Sequence, residues 1–198
     1  MRKLLLTIAL ISSLTCSAQQ AILDKQEANG NRAIVTTSVI FTKDKGIFGS
    51  GASREIFMQL NRFKRDSSYV DEYTICFPQI STQRWSLDVG RKMLLKTQSD
   101  SVIEIANVIP VRELDNTYEI VSNYTFYTMH PLYGVSSNQI QQIIKGKIKK
   151  LRIETNYGAY DLQPNDDSKF WDFSSAVKMC YDCIQKRLTY SRDLHSGF

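Results

Sequence analysis

The sequence predicts an α+β fold: a predominantly antiparallel sheet of about six to eight strands, one short helix, and a long C-terminal helix packed on one face. Three observations carry this. Residues 32 to about 133 read as short β-branched and aromatic segments separated by polar turns. The apolar period changes to three or four residues at Ser136. It does so again, over a longer stretch, near the C-terminus.

The first 31 residues contain no clear body element beyond the leader. The polar lead QQAILDKQEANGNR ends in Asn29-Gly30-Asn31, a turn signal. RAIVTTSVIFT, from Arg32, is rich in β-branched residues, and REIFMQLNRF and YVDEYTICF flank the polar turn KRDSS as an antiparallel hairpin. KMLLKTQ and VIEIANVI flank Ser99-Asp100-Ser101 as a second hairpin. In its second strand Val102, Glu104 and Ala106 face one way and Ile103, Ile105 and Asn107 the other. TYEIVSNYTFYTM reads as one long strand in which Tyr118, Tyr124 and Phe126 share a parity and Tyr127 has the other.

In SSNQIQQIIKGK, Ser136 or Ser137 caps a short helix, Ile140, Ile143 and Ile144 lie on one face, and Gly146 ends it. KIKKLRIETNYGAYDL returns to strand, with Leu151, Ile153 and Thr155 opposite Lys150, Arg152 and Glu154, and a bend at Gly158. The tail from Asp167 to Asp193 is a long amphipathic helix, capped by Asp167 or Ser168. Its stripe is Phe170, Phe173, Val177, Cys180, Ile184 and Leu188.

Localisation bears on the cysteines. Arg2 and Lys3 form a basic n-region, Leu4 to Ile11 an apolar h-region, and Cys16-Ser17-Ala18 a small-residue run, so residues 1–18 are expected to be a signal peptide cleaved after Ala18. A lipoprotein with Cys16 as acyl acceptor is the weaker alternative, because Thr15 stands where Gly, Ala or Ser is usual. Residues 19–198 are then expected to form one globular extracytoplasmic domain, in the periplasm or at the cell surface, with no transmembrane segment in the mature chain. The 25 basic and 20 acidic residues give a net charge of +5, and loss of Arg2 and Lys3 lowers it to +3. Such a balance does not point to nucleic acid, whose binders concentrate a higher basic charge.

The most specific chemical motif is VKMCYDCIQKR, where Cys180 and Cys183 have the C-x-x-C spacing of dithiol redox sites and zinc ligands. A redox motif of this kind places its first cysteine at a helix N-terminus after a strand, whereas about twelve helix-like residues precede Cys180. Cys76, His130 and His195 are the other candidate zinc ligands, without repeated spacing. Three mature cysteines leave open a Cys180–Cys183 disulfide or buried free thiols.

Other motifs carry less. KGIFGSGAS, with Gly46, Gly49 and Gly51, lacks the Lys-Ser or Lys-Thr pair of a phosphate loop and reads as a hairpin connection. No G-x-S-x-G elbow marks a nucleophile. DLQPNDD, from Asp161, lacks the ligand alternation of a calcium loop. Lys145, Lys147, Lys149, Lys150 and Arg152 form the one local charge concentration, either a solvated face or a patch for an anionic partner. Exposed members of Tyr124, Tyr127, Tyr133, Tyr157 and Tyr160 could stack on sugars or anchor a partner.

These features lead to the expectation of an exported bacterial protein, a non-catalytic binding or interaction module of the cell envelope with a protein or glycan partner and no cofactor. The alternatives are an extracytoplasmic enzyme, either a thiol oxidoreductase through the C-x-x-C or a hydrolase, and a secreted inhibitor or immunity-like protein.

Overall fold

The structure is a computed structural model that describes residues 21–45, 51–81, 86–112, 117–121, 124–162 and 172–195. The expected signal peptide, with Cys16, lies outside these residues.

The chain begins with four consecutive antiparallel strands, β1 (Ala21–Gln26), β2 (Arg32–Lys45), β3 (Gly51–Arg65) and β4 (Ser68–Cys76). The expected polar lead is therefore an edge strand. Its turn works as the sequence suggests: Gly30 has φ 88°, its N–H donates to the Glu27 carbonyl at 3.0 Å, and a Cβ there would stand 2.8 Å from Lys64 Cδ. The backbone angle favours glycine, whereas the flexible Lys64 side chain could move aside.

After β5 (Gln79–Ser81), the strands β6 (Lys92–Thr97) and β7 (Val102–Asn107) form the second expected hairpin. The stretch expected as one long strand is instead a hairpin, β8 (Thr117–Val121) and β9 (Tyr124–Met129), with Val121 opposite Tyr124 and Tyr118 opposite Tyr127. Then come β10 (Leu132–Val135), the short helix α1 (Ser137–Gly146), β11 (Ile148–Thr155), β12 (Gly158–Leu162) and the long helix α2 (Phe173–His195). The bend at Gly158 opens a strand of its own that pairs back on β11.

The fold is thus α+β, with a nine-stranded antiparallel sheet in the order β1-β2-β3-β4-β10-β7-β6-β11-β12 and a three-stranded sheet β5-β9-β8. The strand count exceeds the expected six to eight, since two stretches read as single segments fold back on themselves, the polar lead contributes an edge strand, and β5 and β10 are additional short strands. The two sheets share a ribbon. Cys76 pairs with Leu132 in the large sheet and Gln79 with Met129 in the small one, in one continuous register. Pro78 and Pro131 fall in the gap between these pairings. Neither can donate to a ladder, so the ribbon passes from sheet to sheet there.

Both helices cover the same face of the large sheet. Paired positions carry that face across the strands, from Thr36 through Met58, Ile75 and Tyr133 to Asn107, and on β6 to Met93, Leu95 and Thr97. α2 lies over β2 and β3 and against α1, which lies over β6 and β7. Its stripe of Phe173, Val177, Cys180, Ile184 and Leu188 is buried, as the periodicity predicts. Each large aliphatic or aromatic side chain so covered contributes about 1.5–3 kcal/mol. Phe173 meets Phe77 edge-on at 5.7 Å and Tyr181 meets Tyr73 at 5.8 Å.

The helix caps differ in how well they were foreseen. Ser136 caps α1 with a full capping box: its hydroxyl accepts from the Gln139 N–H at 3.2 Å, and the Gln139 side chain accepts from the Ser136 N–H at 2.9 Å. α2 is capped by Asp172, whose carboxylate accepts from the Ser175 N–H at 2.8 Å. The expected caps Asp167 and Ser168, and Phe170 of the stripe, lie outside the described residues.

Candidate functional site

The clearest constellation of functional groups lies where α1 ends against the β6–β7 turn. Gly146 is the last residue of α1, and a Cβ on it would stand 2.7 Å from Thr97 Cγ2. The glycine therefore lets the helix end press onto the strand. Lys147 follows with φ 47° as the C-cap, so Gly146, expected just beyond the helix, is instead its last residue. The Gln98 N–H donates to the Gly146 carbonyl at 3.1 Å and to the Lys147 carbonyl at 3.0 Å, tying the turn to the helix end.

This packing leaves an open recess of about 370 Å³. Val102 and Ile103 form its apolar side; Thr97, Ser101, Gln142 and Lys145 form its polar side. The hydroxyls are linked: Thr97 Oγ1 lies 2.7 Å from Ser101 Oγ and 3.0 Å from Ser99 Oγ. Thr97 is buried, so the chain of hydroxyls runs from the interior to the exposed turn.

The charges around it are unbalanced. Asp100, at the tip of the turn, receives Lys149 Nζ and Lys96 Nζ, each at 2.8 Å. These hydrogen bonds, that from Lys149 foremost, hold its carboxyl down at about 2. Lys145 and Lys147 are exposed and have no carboxylate partner among the described residues. Four ammonium groups against one carboxylate leave the corner strongly positive. The second half of the basic run is different: Asp161 takes both Nε and Nη2 of Arg152, at 2.6 and 2.8 Å, and Lys150 Nζ at 2.7 Å. Arg152 and then Lys150 hold its carboxyl well below the usual range.

Of the five basic residues singled out in the sequence, Lys145 and Lys147 thus stand at the helix end, Lys149 beside them is shared with Asp100, and Lys150 and Arg152 face away with Asp161. Lys96, Thr97, Ser99, Ser101 and Gln142 were not singled out. Ser99-Asp100-Ser101 carried only a turn signal, and nothing local in the chain says that a helix end will arrive beside it.

The C-x-x-C lies elsewhere. Cys180 and Cys183 sit in the middle of α2, and all three cysteines of the described residues are free thiols. Burial pushes the Cys180 thiol up to about 12 and the Cys76 thiol up to about 11. Such shifts oppose thiolate formation, the reverse of what a redox nucleophile needs. Among the described residues no group of three His, Cys, Asp or Glu side chains converges. Tyr133 is fully buried in the core, while Tyr157 is exposed and Tyr160 half-buried. The side chains of Tyr124, Tyr127 and His195 and the glycine loop 46–50 lie outside what the structure describes, as does most of DLQPNDD. His130 is exposed between β9 and β10. No described helix is long and apolar enough to cross a membrane.

Comparison with protein-family models, with curated proteins and with solved structures gives no match to this chain.

Proposed function

We propose that this is an exported, non-catalytic binding module of the bacterial cell envelope, and that it engages an anionic partner through the corner formed by Lys96, Lys145, Lys147 and Lys149. The leader of residues 1–18 supports the exported location. The observation that carries the binding role is the charge excess: among the described residues Lys145, which lines the recess, and Lys147 after it have no carboxylate partner, while most other described basic side chains of the sheet are matched to carboxylates. A single exposed ion pair contributes little. Several lysines acting together attract and hold a polyanion much better than one.

The test is capture from a cell-envelope extract by the wild-type protein and by Lys145→Glu/Lys147→Glu, with the captured material identified by mass spectrometry and sugar analysis. The expected result is an acidic partner that is lost from the variant and released from the wild type near 1 M salt, where the screening length falls to about 3 Å. Equal recovery by both proteins overturns the proposal. Unchanged thermal midpoints establish that the variant is folded.

A further inference from the structure

We infer that the recess between α1 and the β6–β7 turn is a subsite for a single acidic sugar, a hexuronate residue of an acidic polysaccharide; this rests on the proposed function and names its ligand. Size comes first. Pockets for small ligands span about 300–1,000 Å³, and at about 370 Å³ this one suits one ring rather than a chain.

The chemistry of the walls selects the ring. Ile103 and the strand end at Val102 bring apolar atoms beside the polar groups, the arrangement that receives the C–H face of a pyranose. Ser101 presents an exposed hydroxyl, able to donate and to accept and backed by its contact with the buried Thr97 hydroxyl, and Gln142 adds both donors and an acceptor. Sugar hydroxyls also donate and accept, so they match such a lining in either direction. A fully ionised phosphate group offers acceptors only and would leave the acceptor half of the lining unanswered. Lys145 supplies the cation for the C6 carboxylate.

The helix end makes the same choice. The recess abuts the C-terminus of α1, where the helix carries partial negative charge. The Gln98 N–H occupies two of the last carbonyls and reduces that field without reversing it. A singly charged carboxylate held by Lys145 tolerates this position better than a phosphate bearing nearly two charges. Beyond the recess, Lys147 follows Lys145 at the helix end and Lys149 and Lys96 meet at Asp100, a local charge excess that attracts the next acidic units of a polymer.

Isothermal titration of the mature protein with trigalacturonate, its methyl ester, maltotriose and pyrophosphate tests the inference. Trigalacturonate is expected to bind, with the methyl ester and maltotriose weaker by about tenfold or more, the effect of losing one charge-assisted contact. Lys145→Met is expected to weaken trigalacturonate by about tenfold and Ser101→Ala by a smaller factor. Lys149→Glu should act mainly through the salt dependence. Pyrophosphate binding as tightly as trigalacturonate, with the same dependence on Lys145, overturns the sugar inference and leaves the anionic-partner reading standing. So does absence of trigalacturonate binding when the envelope partner is still lost from Lys145→Glu/Lys147→Glu. Trigalacturonate binding that Lys145→Met leaves unchanged removes the recess as the subsite. If no anion binds and no partner depends on the lysines, both readings fall.

Discussion

The two faces of the nine-stranded sheet solve different problems with the same backbone. Beneath the helices, Ile34, Met58, Leu60, Ile75, Met93, Leu95, Leu151 and Ile153 are fully buried, and the few polar groups among them are mostly satisfied: the Thr36 hydroxyl shares its one proton between the Met58 and Cys180 carbonyls, each at 3.3 Å. On the open face, carboxylates are bracketed by bases, as in Lys92–Glu104 at 2.6 Å and Lys150–Asp161–Arg152. Apolar burial is worth kilocalories per side chain, whereas exposed ion pairs are worth little each. Stability should therefore reside under the helices, and the charged surface should be free to vary with what it binds.

Neighbouring residues on β11 test this most directly. Leu151→Ala removes a fully buried side chain and is expected to cost about 2–5 kcal/mol by urea unfolding. Arg152→Ala, one residue on and pointing the other way, should cost a small fraction of that. Comparable losses would break the contrast between the faces.

Polar groups under the helices sharpen it. Ser174 accepts from the Ile148 N–H at 3.0 Å and donates to the Ile143 carbonyl at 2.7 Å, so one buried hydroxyl joins α1, β11 and α2. Ser174→Ala leaves the Ile148 N–H buried and unpaired and is expected to cost about 1–3 kcal/mol. The Tyr133 hydroxyl is the opposite case: it is buried with no hydrogen-bond partner among the described residues, and burial raises its pKa. Tyr133→Phe removes only that hydroxyl and is expected to leave the unfolding midpoint unchanged or raise it by the equivalent of up to about 1 kcal/mol. A clear loss would reveal a partner for the hydroxyl.

These contrasts also mark how far the sequence could be read. The alternation in VIEIANVI and in LRIET places the correct residues under the helices, because a period of two is a local property. The burial of Cys180 followed in the same way from the period of α2. Hairpin turns were harder: Ser122-Asn123 is a weak turn signal inside a β-rich run, so two strands looked like one, and the polar lead gave no sign that its Ala21–Gln26 would become an edge strand. The recess was hardest. It exists because the end of β6 and the end of α1 meet, residues about fifty apart in the chain, and Gly146 permits the contact through its missing Cβ rather than through any motif. Of the corner's lysines, the sequence marked the three in the basic run and missed Lys96, which only the fold brings to Asp100 and Lys149.

The smallest expected effect is the acid response of the open face. Asp100 titrates at about 2 in the folded protein, because Lys149 and Lys96 donate to it, against about 3.9 for an unperturbed aspartate. As pH falls, the unfolded chain therefore takes up this proton first. The stabilisation is fully present above about pH 4–5, declines as pH drops below the unfolded value, and is gone below about 2. Asp161 behaves in the same sense through Arg152 and Lys150. Both carboxylates are solvent-screened, so the effect is small and salt-dependent. Between pH 5 and pH 3 at low salt, the urea midpoint of wild type is expected to fall more than that of Asp100→Asn/Asp161→Asn, and 1 M salt should erase the difference. Parallel decline of the two proteins at low salt would mean that these pairs add nothing to folding, leaving the lysines' charge as the only property of that surface on which binding can act.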